Sequence, residues 1–558
     1  MKDYLCNGFK VFYKDTLVPS IIKNNCLLFI VLGIFVVYTV ATLKTTAPTS
    51  DELPHLASGY VTLKFNNKSL NIEHPPLVKI LAAAPLLLRI TPPAQWARKN
   101  WSTENEWEFG REFLYHNGTE ALTTLNIARL PMLVFGVVLC LACYCWSYEL
   151  FGKRGAVFSV FLCAFCPNIL AHTRLITTDV PLASLGVLSA FLLFRFLRKS
   201  SFLAALSLGV SLGCMLSVKY SAIVLLGGML VAGLMALFFV KQGIDQRLLK
   251  PLYTLRLLFI VSLAAGLVFS AVYGTLFFWP AYYQGLKSVG FNHNPDFLFY
   301  FLGNFKKGGF DWYFPGAFIF KSSRGLLLAL CFLLVLGVFS LWKKKLEFSP
   351  TLRLFLLIGI FAPLSYFIFI CMYAPNIGYR YIIPATSFLF VLCGGLPHIL
   401  ESYRWGRVFL VFIVVFHLQS AIRAFPDPIS YFNGIAGCSG IKGIECLDDS
   451  NIDWGQNLMQ LAKAVPEGQE LTILYFGSAE LDAYFSKWRL MQKPEMLKPE
   501  KTLYALSIHG LNRWNSLYSK PNGVDWFRDF KPKEIIGNTY YIYDFREPGP
   551  ELAQEAFK

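Results

Sequence analysis

Apolar residues in this chain come in blocks long enough to cross a membrane, separated by short polar connections. A hydrocarbon core about 30 Å thick takes roughly 20 apolar residues as an α-helix. Blocks of that length run over 26–43, 130–148, 155–171, 180–197, 202–218, 221–240, 255–278, 325–342, 354–372, 383–399 and 407–422. The pattern predicts a polytopic α-helical membrane protein with about eleven spans. The first block follows a polar, Lys-bearing lead and has no small-residue cleavage site, so it is expected to remain as the first span.

Three connections on one side stand out by length: 44–128, 279–324 and the tail from 423 to 558. Within the first, "EHPPLVKILAAAPLLLRI" (73–90) has a Pro-bounded apolar part too short to span, and predicts an interfacial helix. The tail changes period. Short β-type runs at "LTILYFG" (471–477), "TLYALSI" (502–508) and "YYIYDF" (540–545) alternate with helical patterns such as "WGQNLMQLAKAV". Residues 1–422 are therefore read as the transmembrane part and 423–558 as a small α/β domain.

Composition agrees. The 558 residues are 55% hydrophobic and 15% charged, against about 25% charged in soluble domains. The net charge of +16 would suit nucleic acid, but its placement argues against that partner. Lys153/Arg154, Arg195/Arg198/Lys199, Lys241/Arg247/Lys250, Lys343–Lys345 and Arg404/Arg407 all fall in connections on one side, a positive-inside pattern. The long segments, including the C-terminus, then lie outside. Most of the 13 cysteines sit within spans, where Cys behaves as a small hydrophobe. Cys438 and Cys446 fall together outside, and their spacing leaves a disulfide open.

The outside segments gather chemistry. Asp51 and Glu52 follow the first span, with His55 one turn on from Asp51. Ser50 followed by acids is also an ordinary helix start. Glu73 and His74 precede a Pro pair, as metal ligands or as caps. Asp179 precedes Pro181 at the start of a span, where it also suits helix capping. His172 and Arg174 share its loop. Arg129, Lys219, Lys321 and Arg380, with Tyr379 beside it, are cations and a phenol at outside span ends, where snorkelling or an anionic head group accounts for them. Asp453 and Gln456 read as a capping box.

The stretches "DELPHLASGY", "IEHPPLVKILAAAPLL", "TTDVPLA", "SVKYSA", "GGFDWYFPGAFIFKSS", "NIGYRYIIPATSFLF", "PISYFNGIAG" and "DDSNIDWGQNL" resemble, in order, the PMT-type, family 39-like branch of the GT-C glycosyltransferases. The likeness runs from about 45 to 545. It implies an inverting glycosyltransferase that moves a sugar from a polyprenyl-phosphate carrier to an acceptor hydroxyl. Asp51 matches the first catalytic carboxylate, with Glu52 beside it, and Asp179 matches the second acid. Arg380, Lys219, Tyr379, Arg129 and Lys321 are expected on the donor phosphate. Glu73, His74 and His55 are expected on the acceptor side, where some relatives hold a divalent metal. The acceptor would be a glycan, lipid or protein. The tail shows no β-trefoil sugar-binding module, which weakens the case for a protein acceptor. The resemblance implies a bacterial inner membrane, with the endoplasmic reticulum the alternative. A transporter of a lipid-linked or small solute is the rival reading.

Overall fold

The computed structural model describes residues 25–291, 296–342, 348–401 and 403–546. The basic run Lys343–Lys345, the polar lead and the last residues of the tail lie outside them. Helices dominate up to Ala424, and a five-stranded sheet follows.

Among the described residues, seven helices are long and apolar enough to cross a membrane: α1 (Cys26–Leu43), then Ala121–Ala164, Asp179–Arg198, Ala222–Phe239, Pro251–Tyr273, Pro350–Tyr373 and Gly406–Ala424. Two bent pairs, Tyr313–Lys321 with Arg324–Phe339 and Tyr379–Thr386 with Phe388–Glu401, raise the number to nine. The chain is thus a multi-pass membrane protein. The expected eleven is not reached by length and apolarity, for two identifiable reasons. The expected spans 130–148 and 155–171 fall in one run, α3 (Ala121–Ala164, after α2 at Glu52–Phe65), which is two helical segments broken at Gly152 and counts once by length. There φ is +67°, a region open to glycine and strained for other residues. This helix stops at Ala164, ahead of Pro167, which opens a separate short helix to Thr173. The block at 202–218 forms a helix of only 15 residues (Phe202–Leu216).

The bundle is not uniform. In α4 (Asp179–Arg198), 78% of the most apolar stretch is buried, against 17% in α5 (Pro251–Tyr273). The helix that carries Asp179 therefore lies in the middle of the protein, while α5 faces outward.

The short apolar stretch after the Pro pair forms Leu77–Ala83 and a 3₁₀ turn to Leu88, which is 95% exposed. Its other face packs on α2, where Gly59 lets the backbones meet: a Cβ there would sit 2.0 Å from the Lys79 carbonyl oxygen.

The second long loop contains a hairpin that the sequence pattern did not reveal, β1 (Leu298–Phe301) and β2 (Asn304–Lys307). The tail sheet has the order β4-β3-β5-β7-β6, with β3 (Leu471–Leu474), β4 (Trp488–Leu490), β5 (Leu503–Ser507), β6 (Glu534–Ile536) and β7 (Tyr540–Asp544). β3, β5 and β7 are the three expected strands. β3 pairs in parallel with β4 and β5, and β7 runs antiparallel to β5 and β6. Cys438 and Cys446 are bonded to each other, Cα to Cα 6.1 Å.

The tail is docked on the membrane part. Ala47 joins the apolar core formed by Leu458, Leu471 and Tyr540. Lys321, buried, donates from Nζ to the Ile429 and Asn451 carbonyls at 2.7 and 2.5 Å.

Candidate functional site

Asp51 occupies the N-cap position of α2, yet its side chain caps nothing. Instead Oδ2 accepts from Arg380 Nη1 at 2.5 Å. Arg380 lies in the 3₁₀ turn (Tyr379–Ile382) that opens the second bent helix pair, far along the chain and adjacent in space. The same Nη1 is 3.9 Å from Asp179 Oδ2. Asp179 Oδ1 accepts from Lys219 Nζ at 2.6 Å, in the turn that follows Phe202–Leu216. Four of the expected residues, two acids and two cations, thus form one continuous cluster.

This cluster is enclosed but not saturated. The Asp179 side chain is 1% exposed and that of Asp51 23%. Nε of Arg380 and Oδ2 of Asp179 are buried without a hydrogen bond among the described residues. A buried donor without an acceptor costs about 1–3 kcal/mol, more when charged, so the guanidinium retains capacity for a further anion. Aromatic faces flank the cations. Lys219 Nζ lies 4.7 Å from the Tyr381 ring centre, and the Arg380 guanidinium 4.3 Å from that of Trp454.

His55 and His74 border the cluster with rings edge to face, 5.1 Å between centres. His55 Nδ1 pairs with the Ile176 carbonyl at 2.8 Å. Burial holds the His55 imidazole below its ordinary pKa, although nearby Asp51 opposes this. His74 is pushed lower still, by burial first and then by His55, Lys219, Lys79 and Arg380. Both rings are therefore neutral near pH 7. Cations around His74 disfavour a metal, and among the described residues no three His, Cys, Asp or Glu side chains gather to hold one.

Several expected roles need correction. Glu52 is 0% exposed and binds Arg129, also 0% exposed. Its Oε1 accepts from Arg129 Nε at 2.8 Å and from the Ile176 N–H at 3.1 Å. Its Oε2 accepts from Arg129 Nη2 at 2.6 Å and from Thr49 N–H and Oγ1 at 2.9 and 3.0 Å. Burial raises the Glu52 carboxyl, but Arg129 and these donors together hold it below the usual range. The remaining Arg129 donors go to the Thr46 and Ala47 carbonyls and to Asn126. Glu52 cannot face a reacting atom, and Arg129 has no donor left for a phosphate. They clamp the loop behind Asp51. Lys321 is spent on tail carbonyls and on the Phe432 ring, 4.4 Å away. The Tyr379 hydroxyl turns to Thr386, 3.3 Å away, and it is Tyr381 that lies against the cations.

The capping box at Asp453 is also absent. Asp453 accepts from Ser507 Oγ at 2.5 Å and Gly455 N–H at 3.1 Å, while Gln456 turns to Asp427, and the helix starts only at Leu458. This motif instead serves the cluster. Trp454 O accepts from Ser50 N–H at 3.2 Å and Gln456 O from Ala47 N–H at 2.9 Å, pinning the chain just before Asp51. Trp454 was missed because a tail residue 403 positions from Asp51 gives no local signal of contact.

Lys79 was missed too, although a lysine inside an apolar interfacial stretch is the sort of residue that needs a reason. Its Nζ donates to the Asn71 and His74 carbonyls at 2.5 and 2.8 Å. Burial lowers it to about 7 against the pull of Glu106 and Glu73. Glu106, bonded to Asn71 Nδ2 at 2.8 Å, is raised by burial to about 7.

A multi-pass helical bundle with loops converging on a carboxylate–cation cluster is the class of protein defined so far. Residues 123–271 match the family model described as dolichyl-phosphate-mannose-protein mannosyltransferase. The matched stretch contains Asp179 and Lys219, and the family is of the PMT type that the loop motifs resemble. A comparison with curated proteins found no match.

Among solved structures, ArnT from Cupriavidus metallidurans, bound to undecaprenyl phosphate, is 12% identical. That alignment covers 92% of this chain and 97% of ArnT, with a TM-score of 0.44. The oligosaccharyltransferase AglB from Archaeoglobus fulgidus is 14% identical over 79% of this chain and 58% of its own length, TM-score 0.44. The S. cerevisiae Pmt1-Pmt2 complex is 17% identical over 50% of this chain and 36% of that one, TM-score 0.33.

Proposed function

We propose that the protein is an inverting glycosyltransferase that takes a sugar from a polyprenyl-phosphate carrier and transfers it to an acceptor hydroxyl on the non-cytosolic face. The observation that carries this reading is the contact of Asp51 with Arg380, with Lys219 and Asp179 completing the cluster. The family description, which names a lipid-phosphate sugar as donor, supports the donor class.

In this mechanism the lipid phosphate enters from the bilayer and takes up the free capacity of Arg380 and the ammonium of Lys219. Forked guanidinium donors suit phosphate oxygens. As the glycosidic C–O bond to the phosphate breaks, negative charge grows on that phosphate, and the two cations stabilise it more than they stabilise the ground state. Asp51, released in part from Arg380 by the competing phosphate, accepts the proton of the acceptor hydroxyl as its oxygen attacks the anomeric carbon from the opposite face. Such general-base assistance contributes roughly 10²–10⁴ in rate. Asp179 directs the Lys219 side chain. The neutral imidazoles of His55 and His74 offer hydrogen bonds to sugar or acceptor hydroxyls. The Cys438–Cys446 bond supports an oxidising, non-cytosolic location for the tail.

The test is reconstitution. The purified chain in liposomes, given a panel of polyprenyl-phosphate sugars, is expected to release polyprenyl phosphate and glycosylate an added acceptor or lipid. Solute flux across the vesicle wall without sugar transfer would instead identify the transporter.

A further inference from the structure

Well apart in role from that cluster, a cavity of about 440 Å³ opens where the start of Arg324–Trp342 meets the end of Gly406–Ala424 under the tail.

 The first residue of Arg324–Trp342 lies against the last turn of Gly406–Ala424, with the Arg324 N–H 3.4 Å from Ser420 Oγ. Arg324, Arg423, Phe425, Tyr431, Ser439 and Asn538 line the space between them.

We propose that this pocket binds the phosphate headgroup of an anionic phospholipid, a site independent of the transfer reaction. Its charge is uncompensated. Arg423 is exposed and makes no ion pair among the described residues. Arg324 uses Nε on the Asn433 carbonyl at 2.6 Å, and its terminal nitrogens make no hydrogen bond among the described residues. Arg324, Arg423 and Tyr431 line the same cavity; burial pushes the Tyr431 phenol up to about 12, against the pull of Ser420 and both guanidiniums. Asp427 also borders the cavity, but its carboxylate is already engaged by Gln456, Asn457 and the Ile429 N–H, with Arg174 3.9 Å away. A cation in the first turn of a helix opposes the helix dipole, so an anion between Arg324 and Arg423 relieves two repulsions at once.

The wall of the pocket favours a lipid over a soluble anion. Val411, Val415, Leu418 and Ile422 are 60%, 53%, 37% and 66% exposed, and their spacing puts them on one face of Gly406–Ala424. That stripe ends at Phe425, itself 51% exposed and part of the lining. An acyl chain along the stripe brings its phosphate to the two arginines.

Native mass spectrometry of the purified, delipidated full chain, titrated with phosphatidylglycerol or with phosphatidylcholine of the same acyl chains, tests this. Wild type is expected to bind phosphatidylglycerol about tenfold more tightly, the value of one charge-assisted contact. Arg423→Ala, at an exposed position that the fold does not need, is expected to lose most of that preference, and Arg423→Lys to keep most of it. Equal binding of the two lipids by wild type, or an undiminished preference in Arg423→Ala, overturns the proposal. Displacement of phosphatidylglycerol by millimolar inorganic phosphate also overturns it, by making the pocket a site for free anions.

Discussion

Arg380 donates to the Asp51 carboxylate at 2.5 Å across 329 positions of sequence. A base and a phosphate-binding cation held in contact restrain each other until a ligand separates them. The donor phosphate competes with Asp51 for the guanidinium, so donor binding and release of the base become one event. Arg380→Ala is expected to weaken donor binding about 10–100-fold, as loss of a charge-assisted contact predicts. Titration of the purified protein with a polyprenyl-phosphate sugar measures this, and unchanged affinity removes Arg380 from the phosphate.

Glu52 and Arg129 carry a different expectation. Removing one member of a fully buried ion pair leaves the other uncompensated, at about 3–5 kcal/mol. Arg129→Ala should therefore lower the unfolding temperature and the yield of folded protein, while donor affinity in the surviving fraction stays near wild type. Donor affinity lost without a change in thermal stability would return Arg129 to the binding site.

Trp454 reaches the cluster from the tail, its ring under Arg380 and its carbonyl on the Ser50 N–H. Trp454→Ala is expected to reduce turnover roughly tenfold, the value of about 1–2 kcal/mol of lost cation–π and packing contact. Trp454→Phe should recover much of the loss, since it restores an aromatic face. A purely structural role would make the two variants differ in stability and leave turnover per folded molecule unchanged.

Asp453 gives a pH signature in the tail. Burial raises its carboxyl to about 6 from the ordinary 3.8, against the help of Ser507 and Gly455. The folded state therefore holds its proton more tightly than the unfolded chain. By linkage the stability from this group is fullest below pH 4 and is lost as pH rises from about 4 to 6, by about 3 kcal/mol in all. Asp453→Asn should flatten that part of the stability curve, as measured by denaturant unfolding at several pH values.

Much of this was legible along the chain. Apolar blocks marked the helices because lipid demands continuous apolar length, and alternation marked β3, β5 and β7 because half-buried strands demand it. Asp51, Asp179, Lys219 and Arg380 stood out as charges at span ends, where a charge needs a reason. What the chain did not reveal was partnership. Glu52 and Arg129 look like site residues until their mutual burial is seen, because a charge satisfied by a distant partner has the same local sequence as a reactive one. The break at Gly152 leaves the two helical segments of Ala121–Ala164 directly abutting, and the edge strands β4 and β6 are three residues each, too short to show a period. The role of Trp454 depends on the docking of the tail, a contact without local spacing.

The most direct test is single-turnover release of polyprenyl phosphate by Asp51→Asn in liposomes, with donor binding measured on the same preparation. A carboxylate acting as the base predicts wild-type or tighter donor binding, because Arg380 is freed, with release slowed at least about 100-fold. Release at the wild-type rate from a folded, donor-bound Asp51→Asn protein would contradict it.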